Sequence, residues 1–217
     1  MENGIIDATS LRRSFSSISA IMTKNRAYLI DLDSQNGDGD LGISMDNGYR
    51  AAASYLDAAT ESDLGRLFMG ASKAFNEAAP SSLGTITAVA LAGLAKTLKG
   101  LTSVDLAGLA NAMQAGLSLI MEKAGAKPGE KTILDSLCPA VDSLTHSATT
   151  AESLSSAFAK AAEAASVGSE ATRQMRSVHG RAAYYGDKSI GILDGGSVVG
   201  KLLFEALATQ LSQLPPA

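Results

Sequence analysis

At 217 residues the chain can bury roughly 70 % of its unfolded surface, so it needs neither disulfide nor metal merely to fold. Hydrophobic residues make up 46 % and charged residues 18 %, which excludes a disordered chain, and the apolar runs are too interrupted to span a membrane. A net charge of −4, from 18 basic and 22 acidic residues, excludes a sequence-independent grip on nucleic acid, which needs basic patches to displace counterions.

The single cysteine, Cys138, permits no internal disulfide and no cysteine cluster for zinc. The segment Met1-Glu2-Asn3-Gly4-Ile5-Ile6-Asp7 lacks a basic region followed by an apolar core, so no signal peptide is expected. A cytoplasmic protein that engages neither membrane nor nucleic acid is expected.

Alanine supplies about one residue in six and aromatics 5 %, a composition that favours closely packed helices. In chain order, Leu11, Phe15, Ile18 and Met22 form the first helical stripe. Ser62 is expected to cap a helix whose inner face is Leu64, Leu67, Phe68, Ala71 and Phe75. Ile86, Val89, Ala90 and Leu94 predict the next face, with Gly93 on the same side. Leu106, Leu109, Met113, Leu117 and Ile120 follow, with Ser103 as expected cap and Asp105 in the first turn. Ile133, Leu137, Val141 and Leu144 make a further stripe, then Leu154, Phe158 and Ala161. The last runs through Leu202, Leu203, Ala206, Leu207 and Leu211, to be stopped by Pro215 and Pro216. No alternating strand of five residues or more is predicted. Connections are short, and no linker separates two domains. The expectation is one all-α domain over residues 1–217, an up-and-down antiparallel helical barrel or bundle of about eight helices.

Two stretches break this helical pattern: Asp31 to Gly42 and Gly180 to Gly196, both dense in glycine and aspartate. Loops of this kind concentrate function. The first places Asp31, Asp33, Asp38 and Asp40 within ten positions. It matches G-x-G-x-x-G at Gly37 to Gly42, but no strand precedes it and acids between the glycines would repel a pyrophosphate. Counted as a calcium-binding EF-hand loop from Asp31, it has Asn36 where glycine is required and Gly42 where glutamate is required. Two readings stay open: a solvated turn, or a hard-cation site in which Asp33, Asp38 and Asp40 hold magnesium and leave positions free for phosphate oxygens. Close carboxylates raise each other's pKa, and a divalent ion relieves that repulsion.

Leu32-Asp33, followed by Gly37-Asp38-Gly39-Asp40-Leu41-Gly42-Ile43-Ser44-Met45, resembles the metal loop of the nucleotide-binding L subunit of dihydroxyacetone kinases. Two further segments resemble that family in the same order: Lys127-Pro128-Gly129-Glu130-Lys131-Thr132-Ile133-Leu134-Asp135, and Gly180-Arg181-Ala182-Ala183-Tyr184-Tyr185-Gly186-Asp187-Lys188-Ser189-Ile190-Gly191 with Asp194-Gly195-Gly196-Ser197 after it. The resemblance implies ADP or ATP bound through two magnesium ions at one end of a helical barrel. Asp33, Asp38 and Asp40 would be the metal ligands and, with Arg181, the catalytic residues. Leu41, Gly42, Ser44, Ser81, Ser82, Gly129, Arg181, Asp194 and Gly196 would border the nucleotide. It further implies phosphoryl transfer to a small ketose held by a partner K-type subunit, with a phosphocarrier protein as an alternative donor; a homodimer stays open. Arg181 suits such a site independently, since a planar cationic fork matches polyphosphate.

The sequence departs from the family at several points. Leu41 stands where histidine or threonine is usual, Ser44 where asparagine is common, and Gly195 where proline is expected. Of the family's glycine-rich stretch, the segment 76–85 keeps only Gly84 and Thr85. A non-catalytic ligand-binding or regulatory paralogue with weakened nucleotide binding is the alternative. Cys138 is read as a small core residue, His146 as solvated, and His179 as a neighbour of the phosphate site.

Overall fold

The computed structural model describes residues 4–213, so Pro215 and Pro216 lie outside the described residues. Eight α-helices account for most of the chain: α1 (Ala8–Asp33), α2 (Leu41–Ala58), α3 (Leu64–Ala78), α4 (Ser82–Thr97), α5 (Leu106–Ala124), α6 (Leu134–Thr149), α7 (Leu154–Ala171) and α8 (Gly195–Ser212). Each packs against the next, and α8 closes the ring on α1. The all-α up-and-down barrel expected from the periodicity is what forms. Among the described residues no helix is long and apolar enough to cross a membrane.

Every helix turns an apolar face inward, and all eight contribute to a single hydrophobic core. Leu11, Phe15, Ile18 and Met22 are buried on α1, and Leu64, Leu67, Phe68, Ala71 and Phe75 on α3, as their spacing predicts. The α4 face is rotated from its expected setting: Thr87, Ala88, Leu91 and Leu94 are buried, whereas Ile86, Val89 and Ala90 are half-buried. The rotation brings Gly93 against Gly116 of α5, where a Cβ would stand 2.7 Å from the opposing Cα. Backbone approach at this pair decides the face more than side-chain hydrophobicity does. The core is incompletely filled at its centre, leaving an apolar cavity of about 140 Å³ lined from every helix, including Phe15, Tyr49, Phe68, Phe158 and Phe204.

Six of the eight helices carry a side-chain N-cap, and two caps differ from expectation. Asp63 rather than Ser62 caps α3, accepting from Arg66 N at 3.0 Å. Asp105 rather than Ser103 caps α5, accepting from Gly108 N at 2.8 Å. An ionised carboxylate answers both the free amides and the helix dipole, which a serine hydroxyl does less well. Ser103 instead belongs to a two-residue strand, β2 (Ser103–Val104), antiparallel to β1 (Ile6–Asp7). This short ladder ties the start of α1 to the start of α5, which stand on opposite sides of the ring, and so bridges the far end of the barrel.

Alternation of helix direction fixes the rest. The turns 34–40, 79–81 and 125–133 and the segment 172–194 all fall at the other end, together with the N-termini of α2, α4, α6 and α8. Both expected breaks in the helical pattern lie here. The first is narrower than Asp31 to Gly42, because α1 runs on to Asp33 with buried Leu32 anchoring its last turn. The second begins earlier, after α7, and is built of 3-10 turns at Thr172–Gln174 and Arg181–Ser189.

Candidate functional site

The turn between α1 and α2 is built around Asp33. Its carboxylate accepts from Gly39 N at 2.8 Å, which folds residues 34–39 back over the end of α1. Gly39 makes this possible with φ +77°, a conformation open to glycine at little cost. The fold brings Asp33, Asp38 and Asp40 together, one ligand oxygen from each lying within 4.8 Å of the others. Asp40 is the N-cap residue of α2, but its side chain caps no amide and faces the cluster instead. Burial raises the Asp40 carboxyl above the usual carboxylate range, and the charges of Asp38 and Asp33 push the same way against the pull of Arg181. Three carboxylate oxygens gathered this closely fit a hard divalent cation.

Arg181 reaches this cluster from the neighbouring 172–194 segment, its Nη2 standing 2.8 Å from Asp38 Oδ2. It begins the 3-10 segment at a sharp bend, where Gly180 has φ +65°. Asp194 caps α8 through Ser197 N at 2.6 Å. Burial pushes its carboxyl up to about 7; the Ser197 amide and Lys131 oppose the rise, while the charges of Asp135 and Asp33 add to it.

The other expected nucleotide neighbours are placed as follows. Leu41, Gly42 and Ser44 are buried in the helix packing. A Cβ at Gly42 would lie 2.2 Å from Arg26 O of α1, so this glycine is required by close helix approach. Leu41 touches the first turn of α8, where a Cβ on Gly195 would meet Leu41 Cδ2 at 2.5 Å. The two departures, leucine at 41 and glycine at 195, thus accommodate each other. Ser81 caps α4 through Gly84 N at 3.1 Å, and Ser82 opens that helix, exposed. Gly129, at φ +91°, donates to Asp135 Oδ1 at 2.5 Å and faces open space. Gly196 lies in the first turn of α8, its Cα turned towards Ile133.

His179 approaches Glu130 at 2.6 Å, linking the 125–133 turn to the 172–194 segment beside Arg181. Cys138 packs against the core, and burial raises its thiol to about 11, which leaves it unreactive. His146 is exposed in the last turn of α6. Two residues carry more of the site than their sequence pattern suggests. Asp135 accepts from both Gly129 N and Thr132 N and so shapes the 127–132 turn. Lys131, 3 % exposed, donates to backbone carbonyls of the 172–192 segment. The only signal for either in the sequence is its place inside the motif around Gly129.

The arrangement thus holds a cluster of acids, an arginine and the positive ends of four helix dipoles at one rim. Those are the components that bind a metal-complexed polyanion. The DAK2 domain family matches residues 35–209. The chain is 32 % identical over 197 residues to an L-erythrulose kinase of Pectobacterium atrosepticum, covering 88 % of this chain and 33 % of that one. It is 30 % identical over 190 residues to the ADP-binding subunit DhaL of the PEP-dependent dihydroxyacetone kinase 1 of Listeria innocua, covering 87 % of this chain and 90 % of that one. The chain therefore spans about a third of the erythrulose kinase and nearly all of the DhaL subunit. The dihydroxyacetone kinase of C. freundii, crystallised with AMP-PNP and Mg2+, superposes with a TM-score of 0.75 at 22 % identity, over 93 % of this chain and 34 % of that one; the likeness is one of fold.

Proposed function

Since the chain belongs to the DAK2 domain family, we propose that it is the nucleotide-binding part of a dihydroxyacetone-type kinase, a cytoplasmic phosphotransferase acting on a small ketose. The convergence of Asp33, Asp38 and Asp40 within 4.8 Å at the rim that also carries Arg181 is the observation on which this reading rests. It is supported by the ADP-binding role that the Listeria relative's name states. Magnesium held by the three carboxylates, as two ions, would neutralise phosphate charge during transfer.

The protein's own groups divide the remaining work. Asp33 holds the turn in shape while offering a ligand oxygen. Arg181, now paired with Asp38 at 2.8 Å, would offer its planar donor fork to the phosphate tail. The N-terminus of α2, which has no side-chain cap bond, directs free amides to the same rim. Among the described residues we assign none at this rim as a general base for an alcohol. We therefore assign the acceptor to a second, K-type subunit, with the donor either ATP or ADP recharged by a phosphocarrier protein. The exposed Tyr184 and Tyr185 beside Arg181 suit a surface met by that subunit.

Calorimetry with Mg-ADP tests the reading. Micromolar binding by the wild type, abolished by Asp38→Asn with unchanged helical circular dichroism, is the expected result. No binding at millimolar nucleotide would favour a non-catalytic paralogue. Turnover of dihydroxyacetone by the purified chain alone would overturn the two-subunit assignment.

A further inference from the structure

Lys131 occupies a position that a charged side chain rarely takes. It is 3 % exposed, and its backbone adopts φ +61°, a conformation costly for a non-glycine residue. Its ammonium lies among four backbone carbonyls: Thr172 O at 2.9 Å, Met175 O at 3.2 Å, Ser189 O at 2.7 Å and Ile192 O at 2.7 Å. Three hydrogens are shared among four acceptors, the environment that a chelated monovalent cation has.

The identity of those carbonyls carries the inference. Thr172 and Met175 stand where the chain leaves α7, and Ser189 and Ile192 where it returns to α8. One ammonium therefore closes both ends of the loop at whose turn Arg181 sits. The loop has little else to order it. Val178, Tyr184, Tyr185 and Ile190 are exposed, and Gly180, Gly186 and Gly191 all take positive φ. Its other ties are scattered single contacts. At the two ends, Gly191 N donates to Arg173 O at 2.8 Å, Arg173 Nη1 to Gly191 O at 2.9 Å, Ser177 N to Ser189 Oγ at 2.9 Å and Asp194 N to Thr172 Oγ1 at 3.1 Å. Further out, His179 meets Glu130 at 2.6 Å and Arg181 meets Asp38 at 2.8 Å. Lys131 is in turn held by the 127–132 turn, which Asp135 braces through Gly129 N and Thr132 N.

We propose that Lys131 is a positioning residue for Arg181, a built-in cation that gathers the 172–192 loop and so fixes the guanidinium over the aspartate cluster. The effect on ligand binding rests on the nucleotide reading above; the effect on loop order does not. Removing the ammonium while keeping the side-chain volume takes a donor from four carbonyls at once. Thr172 O and Ser189 O keep backbone donors in Met175 N and Ile192 N, whereas Met175 O and Ile192 O are orphaned, and the loop then opens to let water reach them.

The test combines amide exchange with a double-mutant cycle, using Lys131→Met, Arg181→Ala and the double variant. In Lys131→Met without nucleotide, exchange at the Ser177 and Gly191 amides should speed up about tenfold or more, while α1 to α5 exchange as in the wild type. Mg-ADP affinity should fall about tenfold in each single variant, and the double variant should bind no more weakly than Arg181→Ala alone. Unchanged exchange at Ser177 and Gly191, or losses that multiply in the double variant, would overturn the proposal. If the wild type binds no Mg-ADP, the nucleotide reading fails, and the exchange measurement alone decides the role of Lys131. Should Lys131→Met not fold, Lys131→Gln, which keeps two N–H donors without charge, replaces it under the same criteria.

Discussion

The guanidinium of Arg181 lies 2.8 Å from the carboxylate of Asp38, joining two loops that the barrel brings to one rim. Both side chains are largely exposed, at 68 % and 42 %, so the pair adds little to stability. It is therefore easily exchanged for a phosphate contact. Arg181→Ala should leave the thermal melt within about 0.5 kcal/mol of wild type. It should weaken Mg-ADP by roughly 10- to 100-fold, the worth of a charge-assisted hydrogen bond. Calorimetry on the variant checks this, and unaltered affinity would remove Arg181 from the site.

Magnesium alone should stabilise the protein, because it offsets both the burial that raises the Asp40 carboxyl and the added repulsion from Asp38 and Asp33. At a hundredfold excess over its dissociation constant the gain is about 2.7 kcal/mol, or roughly 5–10 °C in Tm for a chain of this size. Asp40→Asn should lose that gain while its metal-free melt stays close to wild type, since Asp40 makes no cap bond to be lost. A metal-dependent shift that survives in Asp40→Asn would place the ion elsewhere.

Gly42 and Gly48, both on α2, separate packing from site geometry. A Cβ at 42 would strike Arg26 O at 2.2 Å, and one at 48 would strike the Phe75 ring at 2.5 Å. Either alanine variant should cost about 1–3 kcal/mol in chemical denaturation. Only Gly42→Ala shifts the first turn of α2 beside Asp40, so only it should also weaken magnesium binding. Equal metal affinity in the two variants would argue against this division.

Much of this architecture can be read from residue spacing. The stripes on α1, α3, α6 and α7 follow from i, i+3, i+4 repeats, since each of these helices buries one continuous face. The face of α4 is less legible, because the Gly93–Gly116 contact with α5 sets its rotation and a glycine adds nothing to a hydrophobic pattern. The aspartate loop stands out because glycine and acid alternate there and nowhere else so densely. Lys131 does not stand out: its partners are backbone carbonyls 41 to 61 positions away, and a carbonyl has no signature in a side-chain sequence.

Asp194 gives the fold a pH dependence of definite sign. Its folded pKa of about 7 exceeds the ordinary carboxylate value of 3.8, so the native state holds a proton that the unfolded chain releases. Its contribution is fully present below pH 4 and is lost as pH rises towards 7. Within that interval each rise of one pH unit removes up to about 1.4 kcal/mol. Asp194→Asn keeps an acceptor for Ser197 N but cannot ionise. Its stability relative to wild type should therefore grow between pH 4 and pH 7, as followed by urea denaturation. A constant difference across that interval would show that Asp194 ionises normally.

The division of the barrel into a rim of loops and a cavity-lining interior has an evolutionary consequence. The turns 34–40, 79–81 and 125–133 and the segment 172–194 can change length or chemistry while the inward-facing aromatics stay as they are. Leu41 and Gly195, in the first turns of α2 and α8, mark the boundary where rim meets core, for there the size of one side chain limits the other. Selectivity can thus diverge between descendants of one ancestor without reopening the question of whether the chain folds.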